Sequence, residues 1–309
     1  MSFSNFAMFA GKEACYGALV SSALRLAGEE TIMDCALNER CIAVQTTRGV
    51  GMAFLPASAW ERAVSRGLHR SADALRARPL TEVIPRYLEG DPLWTVIALA
   101  AMNSLFIDCG EADSGDWFAG LTVKKVGMIG DLRPFANRTA LAGCEQAVFE
   151  LLPIPGTYGP EDAPLLLPSC DLILITSAVF SNKTLHYYLP HIADSARAYI
   201  FGHGTPLADP LSERFILASN RVLDPEAVFQ NLKEGKGIRE LKPFMGKVIR
   251  NRALRPQIFS PAFTVAPPTG TGVAFPARQG TDAASWHVRD DTAKEVACPG
   301  SVNTPENDI

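Results

Sequence analysis

The stretch from Lys124 to Glu150 reads KKVGMIGDLRPFANRTALAGCEQAVFE, and it decides the fold. It predicts a strand, a glycine turn, a short helix and a second strand that ends on an acid. A strand that stops at a glycine turn leaves backbone N–H groups facing a ligand. Glu150 follows Gly130 by 20 residues, the spacing at which a carboxylate can hold a ribose diol. The stretch therefore predicts a Rossmann-like site for a ligand that contains a nucleoside.

The glycine turn within this stretch is an incomplete dinucleotide fingerprint. It reads Gly127-x-x-Gly130-Asp131 and lacks the third glycine of GxGxxG. A tightly held pyrophosphate, as in NAD, is therefore disfavoured. An ordinary strand-to-helix turn is the alternative interpretation, and only Glu150 at the tip of the next strand argues for a ligand.

Composition bounds the class of protein. The chain has 309 residues, a net charge of −4, 47% hydrophobic residues and no block of like charge, which argues against nucleic acid as a partner. The longest apolar run, residues 94–107, contains Asn103 and Ser104 and predicts a buried helix, not a membrane span. The seven cysteines form no CxxC or CxxH motif, and no secretory signal is visible, so we expect a cytoplasmic protein without structural zinc or disulfides.

The order of patterns predicts two domains and a tail. Residues 31–55 read as three short strands and residues 58–107 as helices, which together indicate a small α+β domain over residues 1–112. Residues 120–250 alternate strand and helix and predict a mainly parallel sheet covered by helices on both faces. Residues 256–309 are rich in Pro and Gly, so we expect a disordered or loosely docked tail.

Polar residues follow the third and fourth strands of the second predicted domain. The segment TSAVFSNKTL contributes Ser177, Asn182 and Lys183, although capping of the next helix would explain one of them equally well. The fourth strand ends in Gly202-His203-Gly204-Thr205-Pro206, which allows a close backbone approach. A lone histidine is usually structural, but His203 between two glycines is a candidate acid, base or substrate contact.

Several runs in both predicted domains match a known pattern. In the second domain they are LLLPSCDLILIT, SNKTL, GHGTPLADPL and VLDPEAVFQNLKEGKG, and in the first domain RGVGMAF and WTVIALAAMNSL. Over about residues 10–245 the chain resembles the heavy-metal chelation domain family. That family reads Gly-Pro-Ser-Thr-Pro where this chain has Gly202 to Pro206, so His203 departs from the pattern.

The resemblance implies an enolase N-terminal-like domain followed by a Rossmann-like domain similar to that of methyltransferases, with a site at the domain junction. It also implies a role in metallophore, pterin or related small-molecule metabolism. The family name does not by itself indicate a metal site. His186 and His191 share no helical face, and no other cluster of metal ligands is visible, so we predict none.

We expect an enzyme that binds S-adenosylmethionine or a related nucleoside and acts on a small polar metabolite. Methyl transfer and transfer or cyclisation of the aminocarboxypropyl arm both remain open. The predicted cofactor contacts are Gly127, Gly130, Asp131, Glu150, Ser177, Gly202 and Thr205, and the predicted catalytic residues are His203, Lys183 and Asn182. Trp94 or Tyr16 would suit a sulfonium through a cation–π contact.

Two further interpretations stay open. One is a non-catalytic binding protein for a metal chelate or a tetrapyrrole, and the other is an NAD(P)-dependent enzyme. In all three cases the expected partner is a small molecule, with neither nucleic acid nor membrane involved, and a homodimer is compatible with each.

Overall fold

The computed structural model describes residues 11–112, 117–118, 120–137 and 139–251. The predicted tail, residues 256–309, lies outside the described residues, as do residues 1–10 of the first predicted domain. The remainder is a mixed α/β fold with a small antiparallel sheet and a larger, mostly parallel sheet, which confirms the predicted fold class.

The first half packs three antiparallel strands, in the order β1-β2-β3, against helices. The strands were predicted from alternating or continuous apolar residues, and the helices after them from amphipathic patterns with helical spacing. The elements are α1 (Lys12–Ala27), β1 (Asp34–Leu37), β2 (Cys41–Thr46), β3 (Gly49–Phe54), α2 (Ala57–Ser65), α3 (Leu80–Val83) and α4 (Pro92–Phe106). A 3-10 helix, Ile84–Leu88, continues α3 because Pro85 has no N–H to donate.

Helix α4 lies at the centre of the first half and is buried along most of its length, which confirms the buried helix predicted from its apolar run. Asp91 caps its start by accepting hydrogen bonds from the N–H groups of Leu93 and Trp94, and Pro92 occupies the first turn. The stretch Pro92–Cys109 is long and apolar enough to cross a bilayer by length and composition, but 78% of it is buried inside the fold. Packing within the protein therefore accounts for its apolar sequence.

The second half is a seven-stranded sheet in the order β4-β10-β9-β8-β7-β5-β6. Strands β6, β5, β7, β8 and β9 are mutually parallel, whereas β10 runs antiparallel to β9 and β4. The elements are β4 (Glu111–Ala112), β5 (Lys125–Ile129), α5 (Arg133–Ala136), β6 (Glu145–Phe149), α6 (Ala163–Leu166), β7 (Leu172–Thr176), α7 (Ala178–Ser181), α8 (Leu185–Tyr188), β8 (Arg197–Phe201), α9 (Asp209–Ser212), β9 (Ile216–Val222), α10 (Pro225–Lys233), α11 (Ile238–Leu241) and β10 (Met245–Arg250).

The two halves share one apolar core. Leu99 of α4 belongs to the same buried cluster as Ile175 of β7 and Ile200 of β8. Polar contacts join the halves as well: the Tyr87 hydroxyl donates to the carbonyl of Phe180 at 2.8 Å, and Ser181 Oγ donates to the carbonyl of Phe54 at 2.7 Å. The first half is thus packed directly onto the loops that follow β7 and β8.

Candidate functional site

The strand order reverses at β5, so the carboxyl ends of the parallel strands on either side of it are the candidate binding edge. Counted along the chain, the parallel strands β5 to β9 have the order 2-1-3-4-5, and ligands in such sheets bind where the order switches. Ile129 is paired with Phe149 and with Ile175, and Thr176 with Phe201. The residues that follow these strand ends, Gly130, Glu150, Ser177 and Gly202, therefore form one row along the edge of the sheet.

Gly130 makes the turn at the end of β5. Its φ is 92°, and a Cβ there would lie 2.6 Å from Thr176 Cγ2, so both backbone and neighbour require glycine. The next residue, Asp131, accepts two hydrogen bonds from the guanidinium of Arg133, at 2.9 and 2.7 Å. The Asp131 carboxylate is therefore held by Arg133 beside the turn.

Glu150 lies beside this turn, as the sequence predicts. Its Oε1 accepts the N–H of Asp131 at 2.6 Å, and Oε2 has no hydrogen-bond partner among the residues that the structure describes. Burial raises the pKa of Glu150, an effect that the Asp131 N–H and Arg133 oppose. One carboxylate oxygen thus supports the turn while the other remains available to a ligand.

Gly127 lies elsewhere than the other predicted contacts. It is in the middle of β5, where a Cβ would meet Ile173 Cδ1 and Leu167 Cδ2, each at 2.9 Å. Close packing of the β7 side chain and of the segment before it explains the glycine. The structure therefore separates Gly127 from the row at the strand ends.

Ser177 and Gly202 meet where β7 and β8 end. The N–H of Ser177 donates to the carbonyl of Phe201 at 2.9 Å. A Cβ on Gly202, whose φ is 133°, would lie 2.3 Å from Ser177 Oγ. The two predicted contacts are thus brought together so closely that a side chain at position 202 has no room.

The loop after Gly202 is where the first half reaches the sheet edge. Asn103 of α4 donates through Nδ2 to the carbonyls of Met52 at 2.8 Å and Gly204 at 3.1 Å. Asn103 Oδ1 and Thr205 Oγ1 are buried and have no hydrogen-bond partner in the described part of the chain. Because buried polar atoms are normally paired, this junction suits a polar ligand group.

The three predicted catalytic residues occupy different surroundings. Asn182 is exposed in the turn after α7, and Lys183 is half-buried with its Nζ 4.9 Å from the centre of the Tyr87 ring. His203 is half-buried, and its carbonyl accepts a hydrogen bond from Ser219 Oγ at 3.4 Å. Lys183 therefore faces the first half, whereas His203 follows the row of strand ends.

The two aromatic side chains predicted to suit a sulfonium, Trp94 and Tyr16, already contact other residues of the protein. The guanidinium of Arg86 lies 4.2 Å from the Trp94 ring centre and that of Arg78 lies 5.8 Å from it. Tyr16 is buried at the junction, with its hydroxyl 3.4 Å from His186 Nδ1. Trp94 thus binds cations of the protein itself, and Tyr16 contributes to the junction.

Sequence reasoning assigned no functional role to Asn103, although an amide in an apolar helix is a signal that a buried partner exists. It assigned no role to Tyr87 and weighed His186 only as a metal ligand, whereas these two side chains approach Lys183 and Tyr16, respectively, across the junction. The signal in the sequence was the polar atom that each of these three side chains carries, which indicates that a partner exists. Its partner could not be identified because it lies far away along the chain.

Comparisons with known proteins match these two halves separately. Residues 21–106 match the family model DUF4213 and residues 117–251 the model DUF364, both described as "Putative heavy-metal chelation". A crystal structure of a DUF364 protein of unknown function from Desulfitobacterium hafniense DCB-2 has a TM-score of 0.64 and 21% identity, covering 78% of this chain and 98% of that one. A DUF364 protein of unknown function from Pyrococcus horikoshii has a TM-score of 0.62 and 21% identity, covering 76% and 98%. A comparison with curated proteins gives no match.

The family description raises the question of a bound metal. Among the described residues, no group of three His, Cys, Asp or Glu side chains is arranged to hold a metal ion. At the sheet edge, Glu150 instead accepts the N–H of Asp131 in the turn, and the Asp131 carboxylate accepts a hydrogen bond from Arg133. The described side chains do not fit a resident metal. The two matched models share one description and together cover residues 21–106 and 117–251, so the chain belongs to the heavy-metal chelation family that they describe.

Proposed function

We propose that the carboxyl edge of the sheet binds S-adenosylmethionine or a related nucleoside, and that the chain is a cytoplasmic enzyme acting on a small polar metabolite. The reaction would be methyl transfer, or transfer or cyclisation of the aminocarboxypropyl arm. Metallophore or other specialised metabolite biosynthesis would be its setting.

The observation that carries this proposal is the half-used carboxylate of Glu150. It stands at the tip of β6, next to the glycine turn of β5, and Oε2 has no partner among the described residues. A ribose diol presents two hydroxyl donors, which a carboxylate at this position accepts. Burial strengthens such charge-assisted hydrogen bonds because water competes less.

The turn after β5 favours a single nucleoside over a dinucleotide. A pyrophosphate is usually held by a glycine-rich loop that leads into a long helix. Here the turn leads into α5, which has 4 residues, and Asp131 places a carboxylate beside it. This arrangement argues against the NAD(P)-dependent alternative.

The metabolite would lie where the first half meets the edge. Thr205 Oγ1 and Asn103 Oδ1 would contact its polar groups there, and Ser177 and Gly202 would line the approach. We assign His203, Lys183 and Asn182 to the contacts with the reacting molecule. Catalysis would rest mainly on positioning, because holding two reactants in line is itself worth several kcal/mol, on the order of 7 or more.

Isothermal titration with S-adenosylmethionine, its demethylated product and NAD tests the proposal. The adenosine compounds should bind the wild-type protein more tightly than NAD. Glu150→Gln should weaken their binding about 10- to 150-fold, since a hydrogen bond to a charged group contributes roughly 1.5–3 kcal/mol.

Glu145→Gln is the matched control, because Glu145 lies at the opposite end of the same strand and pairs with Lys125 at 2.8 Å. It should leave nucleoside binding unchanged. Equal binding by wild type and Glu150→Gln, or no response to any adenosine compound, would refute the ribose-anchor role.

The family description favours a second function, the non-catalytic binding of a metal chelate or tetrapyrrole. The same titrations repeated with Ni²⁺, Co²⁺ and Zn²⁺, each free and as a citrate complex, separate the two. Binding of the complexes without any response to adenosine compounds would support this second function and contradict the first.

A further inference from the structure

Two basic side chains from different segments stand at the junction of the two halves, Lys183 of the turn after α7 and His186 of α8. The exposed Lys12 at the start of α1 is near enough for its charge to act on both. Two buried tyrosines connect Lys183 and His186. Lys183 Nζ lies 4.9 Å from the Tyr87 ring centre, and the Tyr16 hydroxyl lies 3.4 Å from His186 Nδ1. We call Lys12, Lys183 and His186 the junction cluster.

Lys12 reaches this place through α1. It precedes Tyr16 by four residues, which puts both on the same face of the helix one turn apart. The Tyr16 and Tyr87 rings pack edge to face with their centres 5.8 Å apart. Tyr16, which contacts His186 and packs against the tyrosine under Lys183, is therefore one helical turn from Lys12.

The junction cluster has no counter-charge in the described part of the chain. None of its members forms an ion pair there with any carboxylate, Glu13 included, and residues 1–10 contain no Asp or Glu. Burial and the charge of Lys12 lower the pKa of both Lys183 and His186. Like charges gathered at a partly buried place oppose one another unless an anion joins them.

The backbone at Lys183 adds a second cost. Its φ is 52°, in the left-handed region that residues with a Cβ adopt only at a cost in free energy. The turn uses this conformation to bring the lysine over Tyr87, although the lysine gains no ion pair there. Strain of this kind concentrates where a side chain is held in place for a ligand.

We infer that the junction cluster is a binding site for the oxyanion of a small molecule, a phosphate or a carboxylate group. Two ammonium groups supply charge, and the His186 ring supplies a hydrogen-bonding nitrogen. The buried tyrosines fix the positions of Lys183 and His186. The inference stands on these contacts and does not depend on nucleoside binding at Glu150.

Calorimetric titration of the full chain with inorganic phosphate and with succinate tests the inference. At least one probe should bind the wild-type protein, and Lys12→Met and Lys183→Met should each weaken that binding about tenfold or more. Stronger binding of phosphate identifies a phosphate site, and stronger binding of succinate identifies a carboxylate site. Lys233→Met, on an exposed lysine of α10, is the matched control and should bind as the wild type does.

Thermal unfolding separates a ligand site from a structural lysine. Without ligand, Lys183→Met should unfold at a higher temperature than the wild type, because it removes a half-buried charge that lies near Lys12. A lower unfolding temperature would mean that the contact with Tyr87 stabilises the fold, and would overturn the inference. Failure of both probes to bind the wild type, or equal losses in Lys12→Met and Lys233→Met, would overturn it as well.

Discussion

At the scale of single residues, Gly130 shows how tightly the sheet edge is built. Its positive φ, and the 2.6 Å at which a Cβ on this residue would meet Thr176 Cγ2, are independent reasons for glycine. The first is a property of the turn itself. The second arises because β7 lies next to β5, so a smaller side chain at position 176 of β7 would relieve the overlap.

Gly130→Ala should lower the free energy of unfolding by about 2–4 kcal/mol, because both strain and overpacking are introduced. In a Thr176→Ser background, which lacks the Cγ2 methyl, about 1 kcal/mol of that loss should be recovered. Urea denaturation of the four proteins in this double-mutant cycle separates the cost of the backbone strain from the cost of overpacking against Thr176.

Gly143→Ala is the control for this cycle. A Cβ at position 143 meets nothing within 4 Å, so the change should stay within about 0.5 kcal/mol. If Gly130→Ala changes the free energy of unfolding as little as Gly143→Ala does, the strained turn and its close contact with Thr176 are contradicted.

Glu150 carries a pH dependence whose sign follows from its burial. Burial raises its pKa above the ordinary value of 4.5, so the folded state binds the proton more tightly than the unfolded chain. The contribution of Glu150 to stability is therefore complete below pH 4.5, and it is lost as the pH rises through the folded pKa.

Glu150→Gln should remove this decline, since a neutral amide does not titrate. Denaturation at a series of pH values should show the wild type losing stability relative to Glu150→Gln as the pH rises from 4.5. Parallel curves for the two proteins would show that the carboxylate is solvated and not half-buried at the edge.

At the scale of elements, the contact of α4 with β3 positions Asn103 at the junction. Gly51 of β3 lies directly against the helix backbone, and a Cβ there would be 2.0 Å from the carbonyl oxygen of Ala100 and 2.2 Å from the N of Ser104. These are backbone atoms that cannot turn away. The helix and strand can approach this closely only because position 51 has no side chain.

Gly51→Ala should therefore destabilise the protein by roughly 4 kcal/mol or more, or prevent folding. Gly17→Ala makes the same chemical change inside α1, where a Cβ meets nothing within 4 Å. It should stabilise the protein by about 0.5–1 kcal/mol through helix propensity. Thermal unfolding of both variants checks the contrast, and a mild effect at Gly51 would contradict the packing of α4 on β3.

At the scale of the whole molecule, the shared core and the polar contacts across the junction should make the two halves unfold together. The buried cluster that contains Leu99 also contains Ile175 and Ile200. The hydrogen bond from Tyr87 to Phe180 crosses the junction inside this core. Loss of this hydrogen bond should therefore destabilise both halves.

Tyr87→Phe should lower the stability of β2 and of β7 by the same amount, about 1–2 kcal/mol, because the buried carbonyl of Phe180 loses its donor. Hydrogen exchange followed by mass spectrometry measures each strand separately. Tyr158→Phe, at a partly exposed tyrosine, should change neither. A loss confined to β2 would mean that the halves unfold independently.

The sequence by itself determined the parts of this protein that depend on short-range pattern. Alternating or continuous apolar residues predicted β1 to β3, and the alternation of strand and helix segments predicted the parallel strands. The apolar run with its Asp91-Pro92 start predicted α4. The spacing from Gly130 to Glu150 predicted that these residues would be neighbours, because βαβ geometry sets where the second strand ends. The same periodicity did not predict β4, which has only two residues, or β10, which pairs antiparallel with β9.

Only the tertiary structure decided which distant residues meet. Asn103 contacts Gly204 across 101 positions of the chain, and Tyr16 approaches His186 across 170. It also decided that Gly127 belongs to the packing of β5, since the strand neighbours that exclude a side chain are not adjacent in sequence. Local periodicity sets which face of an element is buried, but the partner on that face depends on how the sheet order and the two halves assemble. The edge of the sheet was therefore predictable from the sequence, and the junction that covers it was not.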